Sequence, residues 1–110
     1  CHTAPLFYSN RFEKNGLVLD TSDLGRFEIT GLEADREKFR VPSLRNISHS
    51  FPYMHDGRFK SLKEVLAHYG KEMSLTDMQQ KDLISFLKTL TDTSFLMNPQ
   101  FQFHTLNPSL

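Results

Sequence analysis

At 110 residues the chain has the length of one small domain, and a hydrophobic share of 38% with ten phenylalanines can fill a compact core. Thirteen basic residues offset thirteen acidic ones, so no net field draws it to nucleic acid or to an anionic membrane, and no apolar run approaches the ~20 residues of a membrane span. One cysteine, Cys1, excludes an internal disulfide framework.

Residues 3–31 carry Asn10, Asn15-Gly16, Asp20, Gly25 and Gly31 without a sustained helical or alternating period. They predict a long ordered connection, with short extended pieces at 17–19 and 27–29. The stretch LEADREK, 32–38, predicts a helical turn. In FRVPSLRNI, Pro42 is expected to open a short helix carrying Leu44, Arg45 and Ile47. SFPYMHDGRF, 50–59, has proline and Asp-Gly turn signals and predicts a structured loop.

Two helices follow with clear end signals. Ser61 to Glu64 is a capping box, in which the serine accepts from an early backbone N–H and the glutamate reaches back to the cap. Leu62, Val65, Leu66 and Tyr69 then recur on one face, and Gly70 is expected to end the helix. A second box spans Thr76 to Gln79. Leu83, Ile84, Leu87 and Leu90 follow at helical spacing, with Phe86 widening that face. The two helices are expected to pack through the leucines, Val65 and Ile84. The chain shows no internal repeat and no low-complexity segment.

The chemistry begins at the first two residues. Cys1 followed directly by His2 is the second half of C-x-x-C-H, the c-type haem attachment signature. That chemistry needs the adjacency: a cysteine sulfur bonds to a haem vinyl group, which holds the next residue's imidazole beneath the iron. A Cys-His pair alone also arises incidentally.

More residues carry the pattern downstream. Cys1-His2, Asn15-Gly16-Leu17, Gly25-Arg26, Phe39 to Asn46, Pro52 to Gly57, Leu62 to Tyr69 and Phe86 to Thr91 occur in that order. Together, and above all in the VPSLRN and PYMHDGRF stretches, they resemble the C-terminal haem domain of the bacterial di-haem cytochrome c peroxidase family, including its MauG-like branch. The resemblance covers residues 1–98 and leaves 99–110 as a tail. It implies that Cys1 and His2 close a motif whose first cysteine lies upstream, and a mostly α, cytochrome c-like domain with long ordered loops around haem c.

The resemblance also implies roles for particular residues. Cys1 supplies a thioether bond and His2 the proximal iron ligand. For the opposite axial position, geometry favours Tyr69, which shares the apolar helix face, over His68, rotated by about 100°. Peroxidase-type relatives carry methionine at the matching position and the MauG-like branch carries tyrosine. A core aromatic with its hydroxyl satisfied elsewhere is the open alternative for Tyr69. Met54 is the alternative ligand, and its other reading is loop packing under Phe51 and Phe59. Arg45 is expected either to pair with a haem propionate or to be a solvated charge. His55 is expected near the haem edge rather than on the iron, or as an ordinary loop hydrogen-bonder. Backbone carbonyls of Ser50 and Pro52 match positions that hold calcium between the family's two domains.

Where many relatives insert a longer loop after Gly70, this chain has only KEMS, which shortens a surface excursion or removes part of a wall over the haem. The implied function is delivery of electrons for peroxide reduction within a periplasmic oxidoreductase. No catalytic residue lies in this segment, which alone is expected to be inactive. The alternative is a mono-haem electron carrier without peroxidase activity. Expected partners are the N-terminal haem domain of the same parent chain, a small electron-donor protein, and hydrogen peroxide or a protein side chain as substrate; a homodimer is left open.

Overall fold

The computed structural model describes residues 1–17 and 22–101. The chain starts as a strap. Phe7, at φ 49°, closes a turn in which its N–H donates to the Thr3 carbonyl at 2.8 Å. Strand β1, Phe12–Glu13, then waits for its partner further along. Next comes α1, Phe27–Thr30, a single helical turn where an extended piece was expected. Local bonds account for the difference. Asp23 Oδ1 accepts from the Gly25 N–H at 2.8 Å, Glu28 Oε1 accepts from the Leu24 N–H at 3.2 Å, and the Arg36 guanidinium lies 4.3 Å above the Phe27 ring. Gly31, at φ 66°, ends the turn. The expected piece at 17–19 shows only Leu17, in irregular backbone; 18 and 19 lie outside the described residues.

A 3-10 turn, Glu33–Asp35, falls inside the predicted helical turn at 32–38. Strand β2, Phe39–Arg40, pairs antiparallel with β1, Phe12 facing Arg40 and Glu13 facing Phe39. Two more bonds extend the contact: the Val41 N–H donates to the Arg11 carbonyl at 3.1 Å and the Leu44 N–H to the Phe7 carbonyl at 3.2 Å. The strap therefore lies edgewise along 39–44. Gly25 allows a close crossing here, since a Cβ on it would meet the Lys38 carbonyl oxygen at 2.6 Å.

The helix expected from Pro42 is displaced. A 3-10 turn, Ile47–His49, begins only after Asn46, whose φ of 59° is left-handed and interrupts any helix running from Pro42 through Leu44 and Arg45. The predicted loop at 50–59 is ordered: the Tyr53 N–H donates to the Phe59 carbonyl at 2.7 Å, and the Tyr53 hydroxyl reaches back to the Ile47 carbonyl at 2.8 Å.

Helix α2, Leu62–Met73, and helix α3, Asp77–Thr89, both carry their predicted capping boxes. Gly70 does not end α2. Glycine lowers helix propensity by about 1 kcal/mol without blocking the hydrogen-bond ladder, and the residue that stops the helix is Ser74, at φ 51°. The KEMS stretch is thus largely helix rather than loop. Leu62, Leu66 and Leu87 are buried, as is Val41, and Val65, Leu83, Ile84 and Leu90 are half-buried. Phe86 turns to the strap, its ring edge-on to Phe7 at 5.7 Å.

Asp92 caps α4, Thr93–Leu96, by accepting from the Phe95 N–H at 3.1 Å. The tail begins with a 3-10 turn at Pro99–Phe101. Helix dominates the regular structure, but long irregular segments separate the elements, and the only described strands are two residues each. No helix among the described residues is long and apolar enough to cross a membrane.

Candidate functional site

Cys1 and His2 sit at the open end of the strap, the thiol free and exposed. His2 Nδ1 lies 3.3 Å from the Phe7 carbonyl oxygen. A carbonyl can only accept, so this bond puts the proton on Nδ1 and leaves the lone pair of the neutral ring on Nε2. That is the tautomer of a histidine that ligates a metal through Nε2, with its other nitrogen bonded to backbone. The Phe7 carbonyl also accepts from Leu44, so the segment holding His2 is itself tied to 39–44. A free, exposed thiol next to an imidazole held this way is a donor set that fits c-type haem.

Tyr69 is half-buried on α2. Its oxygen accepts from Asn15 Nδ2 at 3.4 Å, while Asn15 Oδ1 accepts from the Leu17 N–H at 3.0 Å. The Asn15 amide thereby ties the Tyr69 oxygen to the segment before Leu17. Asn15 was visible in the sequence only as part of a motif; its tie to Tyr69 spans the strap and α2 and has no signature in local spacing. His68, next along the helix, packs between Phe59 and Tyr69 at ring distances of 5.1 Å and 5.7 Å. Its Nε2 is buried with no hydrogen-bond partner among the described residues.

Met54 is half-buried in the loop at φ 71°, where its carbonyl accepts from the Gly57 N–H at 3.3 Å. No hydrogen bond or ring contact among the described residues joins His2 to Tyr69 or to Met54. His55 stacks on Phe39 with ring centroids 3.9 Å apart, and its Nε2 is 3.6 Å from Asp23 Oδ2. Its ring is thereby part of the packing between the loop and β2. The neighbouring Asp56 accepts from Arg58 Nε at 2.7 Å, and that bond holds its carboxyl down at about 2.

Arg45 lines an open recess of about 420 Å³ with Pro5, Leu6, Phe7, Leu90 and Asp92. The Asp92 carboxyl is held below the usual carboxylate range, first by the Ser94 hydroxyl, then by the Phe95 N–H, with Arg45 adding to both. The recess therefore brings Arg45 beside the segment that follows His2. Ser50 and Pro52 are exposed, and no group of three or more His, Cys, Asp or Glu side chains gathers among the described residues. A cation at the Ser50 and Pro52 carbonyls would need its charged ligands from elsewhere.

No protein-family model matches the chain. It is 36% identical to the cytochrome c551 peroxidase of Nitrosomonas europaea, over 99% of this chain and 34% of that protein. It is 35% identical to the methylamine utilization protein MauG of Methylorubrum extorquens, over 82% of this chain and 30% of that protein. A solved MauG-like protein associated with microbial copper homeostasis superposes with a TM-score of 0.76 and 34% identity, over 91% of this chain and 39% of that one. The chain spans about one third of the length of these curated relatives. With sequence and fold in agreement across nearly all of its residues, the chain belongs, as a segment of about that length, to the family of the cytochrome c peroxidases and MauG proteins.

Proposed function

We propose that this segment is the C-terminal, c-type haem domain of a periplasmic di-haem peroxidase-like oxidoreductase, and that it passes electrons to the site of peroxide reduction. The observation that carries the reading is the pairing of an exposed Cys1 thiol with a His2 ring whose Nδ1–H is committed to the Phe7 carbonyl. Bound haem would supply reversible one-electron chemistry at its iron.

The chain's own residues account for attachment and orientation. Cys1 would hold the group covalently, and His2 would offer Nε2 to the metal in a ring position fixed by the strap. Tyr69, with Asn15 donating to its oxygen, would offer that phenol oxygen from α2. Arg45 would present a guanidinium suited to a carboxylate at the edge of the group. Calcium at the Ser50 and Pro52 carbonyls stays a lesser part of the proposal, since its remaining ligands would come from outside this segment.

The test is an absorption spectrum of the full-length protein under alkaline pyridine, with and without Cys1→Ala. In the variant one vinyl group is left unbonded, so a haemochrome band shifted to longer wavelength is the expected result. A band unchanged in Cys1→Ala would overturn the assignment of this site. Steady-state turnover with hydrogen peroxide and a reduced donor protein separates the peroxidase reading from a mono-haem electron carrier.

A further inference from the structure

We propose that Asn46 is a positioning residue for His2: through its bonds to Leu90 and Asp92 it holds the segment that fixes the carbonyl orienting the imidazole. The inference rests on the reading of His2 as an iron ligand and goes beyond it by naming what holds that ligand in place.

Asn46 makes the connection with backbone and side chain together. Its N–H donates to the Leu90 carbonyl at 3.0 Å, at the C-terminal end of α3. Its Oδ1 accepts from the Asp92 N–H at 2.6 Å, in a partly buried bond, just where α4 is capped. Its φ of 59° is a conformation that asparagine tolerates better than most residues. Two residues earlier, the Leu44 N–H donates to the Phe7 carbonyl, the same oxygen that accepts from His2 Nδ1. Phe7 is steadied a second time by its edge-on contact with Phe86 on α3. Both supports of the Phe7 carbonyl therefore lead to α3, one through its end and one through its face.

A hydrogen bond from Nδ1–H to a fixed carbonyl raises the basicity of the other nitrogen and holds the ring plane. A more basic imidazole favours ferric over ferrous iron. Releasing Asn46 lets the 43–47 segment shift, weakens the Leu44 hold on Phe7, and lengthens the His2 bond. The reduction potential of this haem should then rise. Loss of an outer partner of a metal ligand commonly changes its energetics by about tenfold, which for a one-electron couple reads as about 59 mV.

The experiment uses the full-length haem-loaded protein. Asn46→Gly keeps the left-handed backbone and its bond to Leu90 but removes the side-chain acceptor. Asn46→Asp keeps an oxygen for the Asp92 N–H. Expected results are a raised potential in Asn46→Gly and a potential near the parent's in Asn46→Asp, with the haem content of both unchanged. Asn46→Ser, with a shorter acceptor, carries the test if the glycine variant does not accumulate, and its potential should rise by less. Haem-loaded Asn46→Gly, or Asn46→Ser in its place, with an unshifted potential overturns the inference while leaving the reading of the site intact. Absence of covalent haem from this motif in the parent protein overturns the reading itself, and the inference with it.

Discussion

Tyr69 and Met54, the two candidates for the second axial position, would each offer a different atom to the metal. The Tyr69 oxygen already accepts a hydrogen bond from Asn15, at 3.4 Å, whereas Met54 is held in its loop by a left-handed backbone and a carbonyl contact. Phenolate stabilises ferric iron and thioether stabilises ferrous iron. On our reading, Tyr69→Met raises the reduction potential, Tyr69→Phe opens the sixth position, and Met54→Leu leaves the spectrum as it was. Absorption spectra and redox titrations of the three full-length variants check this, and a sixth ligand lost in Met54→Leu alone would reverse the assignment. Asp56 makes a prediction of another kind. Its carboxyl titrates at about 2 when folded, below the ordinary value of 3.8, because Arg58 donates to it. The stabilisation is fully present above the unfolded value and is lost as pH falls through the folded one. Asp56→Asn should therefore be less stable than the parent near neutrality, with the gap closing in acid between about 4 and about 2. Denaturant melts across that range measure it, and a gap independent of pH would contradict it.

Among the helices, Gly70 offers a direct measurement. It lies inside α2, and a Cβ there would meet only Gln80 Nε2, at the ordinary contact distance of 3.6 Å. Gly70→Ala should stabilise the protein by about 0.5–1 kcal/mol, read as a higher denaturation midpoint; a lower midpoint would mean that the glycine is needed for close packing. Leu66→Ala, at a buried apolar position, should cost about 2–5 kcal/mol. The contrast between these residues also shows what the sequence could tell. Both capping boxes and the apolar stripes of α2 and α3 could be read directly, because they are local patterns fixed by spacing. The loop at 50–59 could be read from its turn residues. The two-residue pairing of β1 with β2 could not, since it exists only through contact between distant segments. α1 is a single turn assembled by Asp23, Glu28 and Arg36, and no periodicity announces one turn. At the candidate site, Cys1, His2 and Tyr69 stood out by type and motif. The Phe7 carbonyl and Asn15 did not, because a backbone oxygen carries no signature and an amide's partner is set by tertiary contact.

The molecule as a whole is loosely filled. Its radius of gyration is 16.9 Å, against about 13 Å for a compact chain of this length. Among the described residues Val41, Leu62, Leu66 and Leu87 are the buried apolar side chains, none is under 2% exposed, and Ile29, Leu32, Phe51 and Phe101 stand largely in solvent. So small a core offsets little of the conformational entropy lost on folding. The isolated 110-residue chain without haem should accordingly unfold over a broad range in urea, and a sharp cooperative transition at high denaturant would count against this account. The strap adds a consequence in time rather than in energy. α2 and α3 are neighbours in sequence, each with its own start signal, and their contacts close over a short turn. The strap meets 39–44 only after a long loop has closed, which is slow and entropically costly. The helical pair should thus be formed in the folding transition state and the strap should not. Leu66→Ala then slows refolding, whereas Phe7→Ala leaves refolding unchanged and hastens unfolding. The segment that carries Cys1 and His2 is by this account the last part to close and the first to open.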